Sequence, residues 1–336
     1  GPKAREPNYE VVWSMAVRAK PLLCGSVVRQ APALFPRKPF FPAGETVPLH
    51  WTATRGPSKA APAKLLCLHG LLGSSRNLLP WATALERRVG SASSGVALVD
   101  LRNHGQSGHA DSMSYGEMVS DLVAMMDEKG IASAIFVGYS MGGKVAAAMA
   151  LLHPHRVDAV VLLDIAPVAY RTCADSRRAW GEMSPELVGV LDDVPLESLK
   201  DRKSVENYLS REHSNLPAWF GTFALTNLVR NASGQWRWRA NIPAIRRGWQ
   251  LLEGFDLGQQ AIFHGPVLLV RGGRSRYICE EHVPALGKLF PNHRIATLDG
   301  AGHFLHTEDP EGLLDIVVDF LQAEVLSPVR SSAASS

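Results

Sequence analysis

The sequence lacks the patterns that mark a disulfide framework, a metal site or a membrane anchor. Its 336 residues include four cysteines, which lie far apart and form no Cys-x-x-Cys pair, so we expect free thiols. The twelve histidines include no His-Glu-x-x-His motif and no cluster with cysteine, so we predict no bound metal and no cofactor. No apolar run reaches about 18 residues, which predicts that no helix spans a membrane.

An excess of charge of either sign is also missing. The chain carries 35 lysines and arginines against 32 acidic residues, a net charge of +3, which gives no reason to expect a nucleic acid partner. Hydrophobic residues make up 46% of the chain, enough for a sizeable core, and the length fits one large α/β domain or two small ones. The composition does not indicate an oligomeric state.

The N-terminal region has a composition of its own. Residues 14–44 contain five basic side chains and no acidic one. An acid-poor, basic stretch is typical of an organelle transit peptide, and an ordinary surface extension is the alternative. We therefore treat 1–45 as a basic extension. It predicts a mitochondrial or other organelle-matrix location, with a cytoplasmic location as the alternative.

The most informative stretch is a Gly-x-Ser-x-Gly pattern at residues 138–142. The apolar run 134–137 before it is long enough for a buried strand, and the Ala- and Leu-rich run 144–152 after it favours a helix. A strand, a tight turn and a helix in this order predict a nucleophile elbow with Ser140 at its tip. A glycine-rich turn with an incidental serine is the alternative.

The chemistry of a nucleophilic serine explains the glycines of this turn. The hydroxyl must stand clear of the backbone to meet both a base and a substrate carbonyl, and a strained turn achieves this. Side chains at Gly138 and Gly142 would collide with the backbone. The same turn directs the amide of Met141, at the helix N-terminus, toward the place where an oxyanion would form.

A second loop near the predicted site follows the apolar strand 64–68. It reads His69-Gly70-Leu71-Leu72-Gly73, which suits a loop that brings backbone amides over the edge of a sheet. We predict the Leu71 amide as the second oxyanion donor. His69 is a candidate substrate contact, through its ring or its backbone, and a loop histidine without chemistry is the alternative.

Apolar runs and amphipathic segments alternate along the chain, which predicts a mostly parallel, twisted sheet with helices on both faces. Between 170 and 264 the pattern changes: charge rises, tryptophans accumulate and no strand of the sheet is evident. We predict a helical cap at 170–264 inserted into a core of 46–169 and 265–326, with a disordered tail at 327–336. Ligands of such sheets bind beyond the carboxyl ends of the strands.

The remaining catalytic groups are predicted from their places after strands. His303 lies in a glycine-flanked loop after the last strand and is the candidate general base for Ser140. The loop after the preceding strand reads Gly-Gly-Arg-Ser and contains no carboxylate that could orient His303. Asp164, one strand earlier, is therefore the best candidate for this catalytic acid. Ser275 would then bridge His303 and Asp164. Weaker candidates for the acid are Asp299, Glu280 and Glu281.

Taken together, several motifs resemble one family. They are Gly-Tyr-Ser-Met-Gly-Gly-Lys at 138–144, Leu-Arg-Asn-His-Gly-x-Ser at 101–107, Asp-Ile-Ala-Pro-Val at 164–168, Thr-Asn-Leu at 226–228 with Trp-Arg-x-Asn at 238–241, Gly-Gly-x-Ser at 272–275 and Ala-Gly-His at 301–303. Over about 46–322 the chain resembles the α/β-hydrolase domain-containing protein 11 group and related small bacterial serine esterases.

This resemblance implies an α/β-hydrolase fold and supports the order serine, acid, histidine. It implies that Asp164 and Ser275 work together with Ser140 and His303. Members of the group cleave carboxylic esters, including acyl chains on lipids or thioesters, and the eukaryotic members are often mitochondrial. The sequence has Tyr139 where relatives often have histidine.

We therefore expect a cofactor-independent serine hydrolase that acts on a small-molecule carboxylic ester or thioester with an apolar acyl group. Besides His69, the predicted substrate contacts are Tyr139, Trp219 and Phe304. An acyltransferase or C–C bond hydrolase on the same site is the alternative enzyme. A protein that binds a ligand in this fold without turnover is the alternative from another class.

Overall fold

The computed structural model describes residues 45–54, 64–90, 95–170, 185–213, 216, 218–258 and 261–326. The predictions for the extension before residue 45 and for the tail 327–336 lie outside these residues. Within the described part, none of the helices combines the length and the apolar character needed to cross a membrane.

The core is a seven-stranded sheet with the order β1-β3-β2-β4-β5-β8-β9. Every neighbouring pair is parallel except β1 and β3, which are antiparallel. This confirms the predicted mostly parallel sheet. The strands are β1 (Trp51–Ala53), β2 (Leu65–Leu68), β3 (Val96–Val99), β4 (Ala134–Tyr139), β5 (Val157–Leu163), β8 (Val267–Gly272) and β9 (His293–Leu298).

The central strands β3, β2, β4 and β5 are almost entirely apolar because both faces of the sheet are covered, and the charged exception is Asp158 near the start of β5. Alternate side chains point to opposite faces. On β2, Leu66 and Leu68 join one core cluster, while Leu65 and Cys67 join the other. Burial raises the pKa of the Cys67 thiol to about 12, so this cysteine is an inert core residue, as its apolar surroundings in the sequence indicated.

Helices α2 and α3 contribute side chains to the core cluster that contains Leu66 and Leu68. Helices α1 and α10 contribute side chains to the cluster that contains Leu65 and Cys67. The run 144–152, which the sequence predicts as a helix, begins three residues after the observed start of α3 and ends at the same residue. The core helices are α1 (Ser75–Val89), α2 (Tyr115–Glu128), α3 (Met141–Leu152), α8 (Val283–Leu289), α9 (Leu305–Glu308) and α10 (Pro310–Leu321).

The cap lies in the sequence between β5 and β8, and it is not purely helical. Its described part contains a two-stranded antiparallel hairpin, which the sequence analysis missed. Three-residue strands are too short to give a clear alternation, and the Asn-Ala-Ser-Gly turn between them is the signal that was available. The cap elements are α4 (Pro185–Asp192), α5 (Arg202–Glu212), α6 (Ala218–Leu225), β6 (Leu228–Arg230), β7 (Trp236–Trp238) and α7 (Ile242–Glu253).

In the segment that leads into β1, only Trp51–Ala53 pairs with the sheet. Residues 47–50 instead run along the loop that follows β3. The carbonyl of Pro48 accepts from the amide of Gly108 at 2.9 Å, and the carbonyl of His50 accepts from the amide of Asp100 at 2.9 Å. Proline has no amide hydrogen for a sheet ladder, which favours this irregular path.

Candidate active site

Ser140 lies at the turn between β4 and α3, with φ of 51° and ψ of −118°. A non-glycine residue rarely adopts a positive φ, so the turn is strained as a nucleophile elbow requires. A Cβ atom added to Gly138 would lie 2.3 Å from the carbonyl oxygen of Gly142. One added to Gly142 would lie 2.5 Å from the carbonyl oxygen of Leu68. The glycines therefore allow the close backbone packing that lifts Ser140 to the tip of the turn.

Three side chains from distant parts of the chain form one hydrogen-bonded series. The Nε2 atom of His303 lies 3.1 Å from Ser140 Oγ, and its Nδ1 atom lies 2.7 Å from Asp164 Oδ2. A carboxylate only accepts hydrogen bonds, so Nδ1 carries the proton and Nε2 is free to accept from the serine hydroxyl. The ring is therefore oriented to take a proton from Ser140.

Asp164 ends β5, next to β8, and its side chain is completely buried. Its Oδ1 atom accepts from the amide of Gly272 at 2.9 Å, and its Oδ2 atom accepts from Ser275 Oγ as well as from His303. Like Ser140, it has φ of 51°. The structure therefore brings Asp164 and Ser275 together with His303. The predicted bridge by Ser275 differs from what is observed, because His303 binds the carboxylate directly and Ser275 donates to the same carboxylate oxygen.

The weaker candidates for the acid lie elsewhere. Asp299, Glu280 and Glu281 are all exposed. Glu280 is paired instead with Arg271, its carboxylate 2.6 Å from the guanidinium. An exposed carboxylate held by a surface arginine is in no position to orient the imidazole of His303.

The two predicted oxyanion donors are backbone amides at the ends of neighbouring strands, in the loop after β2 and in the turn after β4. Met141 is the first residue of α3, where the amides at the helix N-terminus have no partner in the helix. Leu71 lies in the loop after β2, the strand adjacent to β4. Within the described residues, neither amide donates a hydrogen bond to another protein group. Both remain free to bind a developing negative charge.

Two buried histidines hold the loop that carries Leu71. His69 accepts at Nε2 from the amide of Leu101 (3.0 Å) and donates from Nδ1 to the carbonyl of Gly70 (2.8 Å). His104 accepts at Nε2 from the amide of Leu72 (3.0 Å), and its Nδ1 donates to the carbonyl of Arg102 (2.9 Å). Each ring therefore ties the loop after β2 to the loop after β3.

The environment of these two histidines keeps them neutral. Burial lowers the pKa of His69, and burial together with the charge of neighbouring His69 lowers the pKa of His104 to about 3. The ring of His69 is 1% exposed and both of its nitrogens are bound to the backbone, so the structure does not favour a substrate contact through the ring, and a contact through the backbone stays a prediction. The sequence analysis missed His104, whose signal was its place in a polar loop following a strand.

The loop after β3 is itself fixed by buried charges. Asp100 accepts from the amides of Ser75 (2.6 Å) and Gln106 (2.8 Å). Arg102 is 1% exposed and lies 2.6 Å from Asp121 and 3.0 Å from Glu117. These interactions stabilise the scaffold of the site.

Aromatic side chains surround the histidine end of the site. The ring of Tyr139 lies 5.1 Å from that of His303 and 4.7 Å from that of His306, and it is nearly buried. Phe304 meets Phe223 of α6 edge to face at 6.2 Å, so an aromatic contact joins the core to the cap here. Trp219 lies on α6, but its side chain is outside the described residues.

Two asparagines of the cap dock it onto the loops that carry the site. The side chain of Asn227 donates to the carbonyl of Leu72 at 2.5 Å. The side chain of Asn241 donates to Asn103 Oδ1 at 3.1 Å, and its amide donates to the Asn103 carbonyl at 2.8 Å. The cap is thus attached directly beside the predicted oxyanion donor.

Lys144 links the elbow helix to the cap from inside the protein. It is completely buried, and its Nζ atom donates to the carbonyls of Glu253 (3.2 Å) and Gly254 (2.9 Å) at the end of α7. The same ammonium lies 4.5 Å from the ring centroid of Tyr170. Burial lowers the pKa of Lys144 well below its ordinary value. The negative end of the α7 dipole compensates part of that cost.

The geometry of the sheet, the elbow and the late histidine defines the class of the protein. The chain belongs to the α/β-hydrolase fold family, whose sequence model matches residues 64–310. Within the described residues, no group of three or more His, Cys, Asp or Glu side chains is arranged to hold a metal ion.

Three relatives show which members of this family the chain resembles. The chain is 34% identical over 257 residues to the sn-1-specific diacylglycerol lipase ABHD11 of Mus musculus, covering 76% of this chain and 80% of the relative. It is 31% identical over 263 residues to Esterase YbfF of Escherichia coli (strain K12), covering 76% and 92%. A solved marine microorganism esterase has a TM-score of 0.73 at 32% identity, covering 82% and 100%. The resemblance inferred from the motifs is confirmed.

Proposed function

We propose that this protein is a serine hydrolase that cleaves a carboxylic ester or thioester with an apolar acyl group through an acyl-enzyme. The observation that carries the proposal is the single series Ser140–His303–Asp164, joined by hydrogen bonds of 3.1 and 2.7 Å. It lies beside two free backbone amides at the carboxyl ends of parallel strands, where this fold binds its ligands.

The chain is a carboxylic ester hydrolase at the level of its family and relatives, which include a diacylglycerol lipase and esterases. The finer choice of an apolar acyl group is supported by the aromatic side chains beside His303. Phe304 and Phe223 are both half-buried between core and cap, and aromatic surfaces of this kind favour apolar ligand groups. The name of the mouse relative also supports a role in lipid metabolism.

In the first half of the proposed reaction, Ser140 Oγ attacks the acyl carbonyl carbon and its proton passes to Nε2 of His303. Asp164 accepts the hydrogen bond from Nδ1 and stabilises the charged imidazole. The amides of Leu71 and Met141 stabilise the oxyanion. Collapse of the tetrahedral intermediate breaks the bond to the alcohol or thiol, which leaves with the proton from His303.

In the second half, water attacks the acyl-enzyme. His303 takes a proton from the water, and the same two amides stabilise the second oxyanion. The bond to Ser140 Oγ breaks, the serine recovers its proton from His303, and the carboxylic acid is released. Ser275 is assigned to the orientation of Asp164, because its hydroxyl donates to the same carboxylate oxygen as His303.

Hydrolysis of p-nitrophenyl esters from acetate to a long acyl chain, by wild type and Ser140→Ala side by side, tests the proposal. We expect kcat to fall by several orders of magnitude in the variant, because it lacks the hydroxyl that the proposed mechanism acylates. The preferred chain length measures the size of the acyl group that the site accepts. Full activity in Ser140→Ala contradicts the mechanism.

Product analysis separates this proposal from the alternatives. Acyl thioesters of the same chain lengths show whether a thiol also leaves. Transfer of the acyl group to an added alcohol, in preference to water, would identify an acyltransferase, and cleavage of a diketone would identify a C–C bond hydrolase. Binding of an ester without turnover would support a ligand-binding protein instead.

The compartment remains a prediction that rests on the composition of the N-terminal region. A basic, acid-poor segment supports a mitochondrial or other organelle-matrix location, and a cytoplasmic location is the alternative. Imaging of a fluorescent fusion at the C-terminus distinguishes the two.

A further inference from the structure

The imidazole of His303 is contacted on its face by a residue that the sequence analysis did not single out. The ring of Tyr277 is stacked on it, with 3.7 Å between ring centroids and 9° between ring planes. The other rings around His303 are not parallel to it: Tyr139 is tilted by 39°, and Phe304 by 67°. Only a parallel ring at van der Waals distance restricts how far the imidazole can tilt.

The backbone of Tyr277 belongs to the same hydrogen-bonded network as the carboxylate. Its amide donates to Ser275 Oγ at 3.2 Å, and Ser275 Oγ donates to Asp164 Oδ2, which also accepts from His303. The segment from Gly272 to Tyr277 therefore supports His303 at two places. It binds the Asp164 carboxylate that accepts from Nδ1, and its tyrosine ring stacks on the imidazole face.

The Tyr277 ring is itself held in place. It is 7% exposed and lies 6.1 Å from the ring of Tyr170, which is completely buried. The hydroxyl of Tyr170 accepts from the amide of Ala166 at 3.0 Å, two residues after Asp164. The surface against which the imidazole stacks is therefore anchored to the same segment as the carboxylate.

A hydrogen bond at Nδ1 alone does not fix the orientation of a histidine. The torsion between Cβ and the ring has a broad energy minimum, so the ring can turn while keeping an approximate bond to the carboxylate. Such a turn moves Nε2 away from Ser140 Oγ, and a misplacement of about 1 Å is enough to slow a reaction about 100-fold. A parallel ring on the imidazole face prevents it.

The stack also favours the charged form of the histidine. The face of an aromatic ring is electronegative and attracts a cation, with Tyr among the favourable rings. His303 becomes a cation only when it has accepted the proton of Ser140, so the attraction is stronger in the transition state than in the free enzyme. An interaction with this difference accelerates the chemical step.

We propose that Tyr277 is a positioning residue that fixes the plane of the His303 imidazole and stabilises its charged form, a role that rests on the proposed serine mechanism. The contribution comes from the ring face, and the hydroxyl is not required. Tyr277 therefore acts on kcat through His303 and does not act on the binding of substrate.

The test compares Tyr277→Phe, which keeps the ring, with Tyr277→Leu, which removes it. We expect kcat to fall about 10- to 100-fold in Tyr277→Leu with KM within about 2-fold of wild type, and Tyr277→Phe to stay within about 3-fold of wild type. Labelling of Ser140 by a fluorophosphonate should slow in parallel, since it depends on the same base. Tyr208→Leu is the matched control, because Tyr208 lies beside His213 in the cap with its ring tilted by 59°.

Three results would overturn the proposal. They are unchanged kcat in Tyr277→Leu, an equal loss in Tyr277→Phe, and a rise in KM at constant kcat. If Tyr277→Leu does not fold, Tyr277→Met carries the comparison, since its flexible side chain fills irregular space. The Ser140→Ala variant separates the two proposals: if it retains activity, the serine mechanism fails, whereas a normal Tyr277→Leu beside an inactive Ser140→Ala rejects the role of Tyr277 alone.

Discussion

The site contains two kinds of buried or half-buried histidine, and their hydrogen bonds distinguish them. His69 and His104 bind only backbone groups through both nitrogens, so each ring is a fixed link between two loops. His303 binds two side chains, a hydroxyl and a carboxylate, and 17% of its side chain is exposed. A histidine can carry protons only when its partners can exchange them, which backbone amides and carbonyls do not do.

The largest expected effect comes from Asp164, the carboxylate that accepts from His303. Asp164→Asn should lower kcat about 10³- to 10⁴-fold, because the amide no longer stabilises the correct tautomer or the charged ring of His303. Steady-state kinetics with a p-nitrophenyl ester measures the loss. Asp299→Asn is the matched control on an exposed loop, and a larger loss there than in Asp164→Asn would show that the acid is assigned to the wrong residue.

A smaller effect, on folding stability and not on catalysis, is expected at His104, which links two loops through their backbone groups. His104→Ala leaves the amide of Leu72 and the carbonyl of Arg102 buried without a partner, which should lower the free energy of unfolding by about 2–4 kcal/mol. Urea unfolding monitored by circular dichroism measures the change. His155→Ala, at an exposed position, is the control, and an equal midpoint for the two variants would contradict the structural role of His104.

The smallest expected effect is the dependence of folding stability on pH that the buried His104 produces. The pKa of His104 in the folded protein is about 3, against an ordinary value of 6.5, so the unfolded chain binds protons first as the pH falls. The stabilisation is complete above pH 6.5 and decreases toward pH 3, by up to about 1.4 kcal/mol per pH unit for this group.

Unfolding by urea at pH 7.5 and at pH 5 measures this dependence. His104→Ala should show a shallower decrease than wild type, since it lacks the group that must be protonated, although its stability is lower at pH 7.5. The same decrease in both proteins would assign the pH dependence to other residues. His306, whose pKa burial lowers to about 4, is the next group to test.

The sequence was enough to predict the sheet and the residues of the hydrogen-bonded series. Strand-forming runs of apolar residues determine which segments are buried, and the end of a parallel strand determines where the next side chain points. Ser140, Asp164 and His303 each follow such a strand, so their chemistry could be inferred from their positions. The assignment of their catalytic roles stays a prediction.

Other features depend on contacts that a linear pattern does not encode. The stacking of Tyr277 on His303 depends on the path of a loop and the tilt of two rings. The hairpin of β6 and β7 has strands of three residues, too short for a periodic signal. His69 was a candidate substrate contact through its ring or its backbone, with a loop histidine without chemistry as the alternative, and the sequence does not encode that both ring nitrogens bind the backbone.

The positive φ angles of Ser140 and Asp164 carry a consequence for how the protein can be changed. A non-glycine residue held in a sparsely populated backbone region costs on the order of 1–3 kcal/mol. Glycine at either position would relieve that cost and remove the side chain on which the proposed chemistry depends. Selection for thermal stability alone would therefore drive the chain toward inactivity at these two positions, and an engineered stable variant must gain its stability elsewhere.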